Sequence, residues 1–356
     1  MTRSGRLLTV ALTAAIAVVL SGCAELGIPV PGASTATPTP TATPAAFALD
    51  CPATVSSADL GAVLGADVVV VATPPGITQT VAAAGPLGLP AVGGSSCRWK
   101  HGEDTLTVQV LPHAAAAWKT LSEANPSVAT PGADYEGGVS LGGNCTLTPD
   151  VSCLTNVLVA DAWLSVVLDT ASAPGLTEDG FHDVVQRMLP PVTAALAKAP
   201  TPQAGAPLDC GAADLRAEVQ SAFALPGVTT LAVEPTFHLS DGVLLAPGVT
   251  LCQFQPTDDS GTGSGTYLGS LSVLPGTAAA YEQFRAAVLA QDPSARSELM
   301  TVKGDQVPAL VWSGTVEGAT FASVDAMIGS RWVEFQSPDP DDTRSLAIVQ
   351  WVAAKL

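Results

Sequence analysis

Five landmarks occur twice in this chain, in the same order and 155 to 169 residues apart. Leu49-Asp50-Cys51 returns as Leu208-Asp209-Cys210, and Cys97-Arg98-Trp99 as Cys252-Gln253-Phe254. Val108-Gln109-Val110-Leu111-Pro112 returns as Leu271-Ser272-Val273-Leu274-Pro275. An Ala-rich segment with one aromatic follows in each copy, ending at Trp118 and at Tyr281, and a tryptophan-bearing segment comes later, at Trp163 and Trp332. Whatever the first series builds, the second must build too. Two homologous domains are therefore expected, 47–199 and 206–356, joined by a Pro-rich link over 200–205.

Periodicity supplies the elements. In the first copy Ser56-Ser57-Ala58-Asp59 is a capping-box-like start, and Leu60, Val63 and Leu64 stripe a helix. Val68–Val71 is β-branched, and Leu106, Val108 and Val110 alternate with polar residues, as a strand with one buried face does. A helix is expected over Ala114–Ala124, then strands over Leu154–Val159 and Trp163–Leu168. Thr177 caps a last helix striped by Phe181, Val184, Val185, Met188 and Leu189. Pro190-Pro191 is expected to kink or interrupt it. The second copy repeats the series from Leu215 to a final helix over Thr343–Lys355. Each copy reads α-β-β-β-α-β-β-β-α. Strands that follow one another without crossover helices pair antiparallel, so the fold class is α+β, an antiparallel sheet with packed helices in each domain.

The start of the chain sets its location. Arg3 and Arg6 precede an uncharged run, Leu7–Leu20, that is shorter than the roughly 20 residues a membrane span needs. Residues 1–22 read as a signal peptide. Leu20-Ser21-Gly22-Cys23 resembles the lipobox of bacterial lipoproteins. That resemblance implies a diacylglyceryl group on the thiol of Cys23, which becomes the mature N-terminus, and with further acylation a stable anchor in the outer face of the cell membrane. The alternative is an ordinary signal peptide that happens to end before a cysteine. Residues 23–46, rich in Thr-Pro alternation, make a tether with too few large apolar groups to fold.

With Cys23 assigned to lipid, six of the seven cysteines remain, and six allow 15 pairings. The repeat makes Cys51–Cys97 and Cys210–Cys252 equivalent, which leaves Cys145–Cys153 as a local clasp. An oxidising compartment favours such bonds. A metal site is the rival reading, but no Cys-x-x-Cys and no His-x-x-x-His occurs.

A cysteine near the domain start, a first helix and then Cys-x-aromatic opening a strand, on a lipobox chain with a Thr/Pro tether, resembles actinobacterial lipoproteins of unknown function. The resemblance implies a PsbP-like α/β sandwich and a cell-surface location. It transfers no catalytic residue.

The chain carries 14 basic against 32 acidic residues, a net −18, and losing Arg3 and Arg6 with the leader takes this to −20. A surface this acidic repels nucleic acid. The candidates for chemistry are weak. Ser264 lies in a Gly-rich stretch, Asp258–Thr266, without a nucleophile elbow. His101, His113, His182 and His238 have no counterpart in the other copy, and Glu103-Asp104 and Asp258-Asp259 read as turns. Asp339, Asp341 and Asp342 precede the final helix, where carboxylates complement its positive end. The paired aromatics, Trp99 with Phe254, Trp118 with Tyr281 and Trp163 with Trp332, read as core. Recognition is expected instead from the loops that differ, Ala72–Gly94 and Gly142–Cys153. The expected protein is a non-enzymatic surface lipoprotein, with no cofactor, that binds a protein, a cell-wall component or a small ligand. A carrier of apolar molecules and a hydrolase with an unfamiliar site are the alternatives.

Overall fold

In the computed structural model, which describes residues 47–356 apart from 66, 72–86, 149, 171–172, 174, 200–204, 232–233, 258–265, 276–277 and 317–318, local signals start the first half. Asp50 caps α1 (Cys51–Thr54) through the Ala53 N–H, and Ser56 Oγ accepts from the Asp59 N–H at 3.1 Å to open α2 (Ser57–Leu64). Then come β1 (Val69–Val70), α3 (Gly88–Ala91), β2 (Ser95–His101), β3 (Asp104–Leu111) and α4 (Ala115–Ala124). β4 (Gly138–Thr146), β5 (Val151–Val159), β6 (Ala162–Thr170) and α5 (Glu178–Leu196) complete the half. Its sheet has the order β1-β2-β3-β6-β5-β4, antiparallel throughout.

The second half runs α6 (Ala213–Ala222), β7 (Val228–Leu231), α7 (Leu239–Leu244), β8 (Thr250–Pro256), β9 (Gly269–Pro275) and α8 (Ala278–Gln291). It ends with β10 (Arg296–Val302), β11 (Asp305–Val316), β12 (Ala319–Ile328), β13 (Arg331–Ser337) and α9 (Asp342–Lys355). The antiparallel order β7-β8-β9-β13-β12-β11 matches the first sheet strand for strand, and β10 is added at the edge. Among the described residues of the first half, the isolated bridges Pro131–Leu141 and Tyr135–Gly138 lie beside β4 in place of a further strand. The protein is thus α+β with two sheet-containing domains. Disulfides join Cys51 to Cys97, Cys145 to Cys153 and Cys210 to Cys252, the pairs read from the repeat.

Several expectations need correcting. Four strands, β10–β13, follow α8 where three are expected, the short helices α3 and α7 are added to the series, and Gly142–Cys153 is mostly strand. Pro190 and Pro191 do not interrupt α5, which runs on to Leu196. Each proline removes a helical donor, but Met188, Leu189 and Val192 are buried on either side and hold the turn against the sheet.

Three apolar clusters explain the arrangement. The first lies between α2, α5 and one face of the first sheet and contains Trp99; its counterpart between α6, α9 and the second sheet contains Phe254. The third is shared. Trp118, Trp163 and Leu111 of the first half lie in one cluster with Phe237, Tyr281, Phe284, Trp312 and Trp332 of the second. Each half's short helix reaches across: α7 packs on β3, β6 and α4, and α3 packs on β9. Phe237, just ahead of α7, stacks on Trp163 and meets Trp118 edge-on, both at 4.9 Å between ring centroids.

Candidate functional site

The strands that carry the repeated tryptophans also carry polar residues into the shared layer. Side chains alternate along a strand, so Phe321, Ser323 and Asp325 of β12 share a face, and so do Trp332 and Glu334 of β13. Asp325 and Glu334 are directly opposed in the β12–β13 register. Both are buried, at 0 % and 2 % exposure. Trp332 Nε1 donates to Asp325 Oδ1 at 2.8 Å and Trp312 Nε1 to Oδ2 at 2.7 Å. Ser323 Oγ lies 3.2 Å from Asp325 Oδ2 and 3.4 Å from Glu334 Oε1. On α8, Tyr281 donates its hydroxyl to the Asp325 backbone carbonyl at 3.2 Å. Burial pushes the Asp325 carboxyl up to about 6, against the pull of these indole and hydroxyl donors. Burial also raises the Tyr281 hydroxyl, and the Asp325 charge adds to it.

The first half has the same frame with different chemistry. The offset of 169 residues that relates Trp163 to Trp332 places Asn156 at Asp325 and Ser165 at Glu334. Asn156 and Ser165 are likewise opposed in register and buried. Trp163 Nε1 donates to Asn156 Oδ1 at 3.0 Å, while Asn156 Nδ2 is buried without a partner. One indole serves a neutral acceptor here; in the second half two serve an acid.

An open pocket of about 340 Å³ lies at the start of α9, between Phe223, Leu225, Tyr267, Leu268, Ser337 and Arg344. Its floor is apolar. At its rim Arg344 pairs with Asp339 at 2.6 Å and Asp341 at 3.3 Å, and its guanidinium lies 5.5 Å from the Phe223 ring centre.

The residues singled out from sequence are dispersed. Cys23, Ser264 and Asp258-Asp259 lie outside the described residues. His113 bonds Asp161 at 2.7 Å in a left-handed turn ahead of α4. His182 bonds the Asp134 carbonyl and stacks on Tyr135, and His101 and His238 are exposed. Asp341 caps α9 through the Thr343 N–H, and Asp342 pairs with Arg296 at 2.9 Å. Glu103 is exposed in the β2–β3 turn, and His101 pairs with Asp104 in register across it. Of Ala72–Gly94, residues 72–86 lie outside the description, and Leu87, Leu89 and Val92 enter the shared layer. Gly142–Cys153 is mostly strand, with Cys145 bonded to Cys153. Among the described residues no group of three or more His, Cys, Asp or Glu could hold a metal ion. No helix among them is long and apolar enough to cross a membrane.

Sequence reasoning missed the buried acid pair. The signal was present, because an acid at an inward position of an otherwise apolar strand is a sequence anomaly. Fold and site together define a tandem antiparallel α+β protein built around a shared aromatic layer, with a buried acid pair on the second sheet bonded to two of its tryptophans. No family model, curated protein or solved structure matches the chain.

Proposed function

We propose that the chain is an extracytoplasmic lipoprotein, anchored through lipid on Cys23, whose two-sheet body is a non-enzymatic binding module held off the membrane by residues 24–46. One observation supports this most: a chain opening with a charged, then apolar run to Leu20-Ser21-Gly22-Cys23 also forms three disulfides. Disulfides persist beyond the membrane, where such a leader would deliver the chain. The resemblance to actinobacterial lipoproteins points the same way, and the partner is a protein, a cell-wall component or a small ligand.

A carrier of small apolar molecules is the second reading, favoured by the apolar pocket between Phe223, Leu225 and Tyr267. Expression of the full-length chain in a lipoprotein-processing bacterium fed an alkyne fatty acid tests the anchor. Label is expected on the wild type and absent from Cys23→Ala, with the body cleaved by protease added to intact cells. An unlabelled or protected wild type would rule the anchor out. Native mass spectrometry of the same material separates the binding readings: a bound hydrophobic mass supports the carrier, and an apo mass supports a macromolecular partner.

A further inference from the structure

Where the first half places Asn156 opposite Ser165, the second places Asp325 opposite Glu334 in the same cross-strand position. Two buried carboxyls facing each other resist ionising together, because each loses its hydration and like charges repel strongly in a low dielectric. Donors gather on Asp325. Asp325 accepts on both oxygens, from Trp332 on one and from Trp312 and Ser323 on the other. Its carboxyl acts wholly as an acceptor, which is the ionised arrangement. Ser323 has a single hydroxyl proton but lies within hydrogen-bond distance of both acids. A proton on one of the two acids resolves this, because that carboxyl can donate to the Ser323 Oγ while Ser323 donates to the other.

We infer that Asp325 and Glu334 hold one proton as a unit, and that its loss unseats Trp312 and Trp332 from the apolar layer common to both sheets. Both indoles are in that layer, Trp332 against Tyr281 and Phe284 and Trp312 against Phe284 and Phe321. A second negative charge beneath them is relieved only by water, and water enters by displacing the rings. The other titratable groups around the pair are few. Tyr281 faces it from α8, with Arg285 and Glu282 of α8 beyond, paired to each other at 3.4 Å. Tyr267, ahead of β9, senses Glu334 and bonds Ser270 at 2.6 Å. β11 brings Trp312, and α3 (Gly88-Leu89-Pro90-Ala91) brings no ionisable side chain.

The sign follows from linkage. Asp325 goes from 3.8 in the unfolded chain to about 6 when folded, so the folded state binds more protons between those values. Stability from this pair is therefore present at low pH and declines as pH rises through the folded value. Its biological setting rests on the extracytoplasmic reading, but titration and location are measured separately.

The test is tryptophan emission and thermal unfolding of the full-length chain between about pH 4 and pH 8. In the wild type, emission is expected to shift to longer wavelength with one midpoint, and Tm to fall by roughly 5 °C as pH rises across it. Asp325→Asn with Glu334→Ser, which installs the neutral pair of the first half, is expected to be flat in both. Should that variant fail to fold, Glu334→Gln keeps every donor to Asp325 and is expected to lower the midpoint by about one pH unit or more. A wild type without a midpoint in this range, a double variant that titrates like it, or an unmoved midpoint in Glu334→Gln overturns the inference.

Discussion

The two halves repeat six strands in one order and keep a tryptophan at the same place, yet they differ in what that tryptophan donates to. In the first half Trp163 meets Asn156. In the second Trp332 is joined by Trp312, and the pair secures Asp325. Backbone pairing and one equivalent disulfide, Cys51–Cys97 or Cys210–Cys252, constrain both copies alike, so the scaffold survives the change from a neutral to an acidic centre. What the acid needs is additional donors, and β11 supplies one where β4 has its bulge between Leu141 and Asn144. A duplicated fold can thus keep its architecture and still put different chemistry at one equivalent position.

The strongest way to break the comparison is to remove the two tryptophans in turn. Trp163→Ala takes away the ring against Trp118 and Phe237 and is expected to cost about 3–5 kcal/mol. Both variants also strip an indole donor from a buried acceptor, Asn156 in one and Asp325 in the other, and Trp332→Ala should cost about 1 kcal/mol more because a donor lost to an acid is worth more than one lost to an amide. Urea unfolding of the two variants at neutral pH reads the difference. Equal midpoints would mean that the indole bond to Asp325 contributes no more than the one to neutral Asn156.

A smaller effect separates the contributions of the two halves to the shared layer. Gly242 of α7 lies so close to Trp163 that an added Cβ would sit 3.1 Å from the indole. Gly242→Ala is expected to destabilise by about 1–3 kcal/mol through overpacking. In Trp163→Ala the same substitution should cost markedly less, since the ring it strikes is gone. A double-mutant cycle with no coupling would show that α7 does not seat against the first sheet as described.

These contacts mark where sequence stops being informative. Cysteines and tryptophans are rare and unambiguous, so the repeat, the disulfide pairs and the strand sequence around Trp163 and Trp332 could be read directly. β4 escaped because Gly138, Gly142 and Gly143 break any alternation, and β10 because Arg296-Ser297-Glu298 reads as polar surface. The short helices α3 and α7 have no periodicity to detect. Trp118 and Trp163 were legible as buried, but recurrence cannot say against which sheet, and their partner is the other half. Asp325 was hidden for a related reason. A search for chemistry in loops and histidines passes over an acid whose burial arises from strand register and from donors supplied by two other strands.

The mildest test sets Asp325 against an acid with the opposite linkage. Asp59, at the start of α2, is raised by burial but drawn below its ordinary value overall by Arg187 and Ser56. Arg187 reaches it from α5 with Nη2 at 2.6 Å and Nε at 2.8 Å, and Ser56 donates at 2.6 Å. Because the folded value lies below the ordinary one, its stabilising contribution is present above the ordinary value and disappears as pH falls through the folded one. Half-exposed Arg187 keeps the effect small through solvent screening. Asp59→Asn is therefore expected to lower Tm slightly at neutral pH and to match the wild type in strong acid, whereas the acid-pair variants gain on the wild type as pH rises from about 4 to 7. Thermal scans of both along one pH series distinguish the two directions. If Asp59→Asn instead gained on the wild type toward neutral pH, burial rather than the Arg187 contact would govern Asp59, and the two halves would handle their buried acids in the same way.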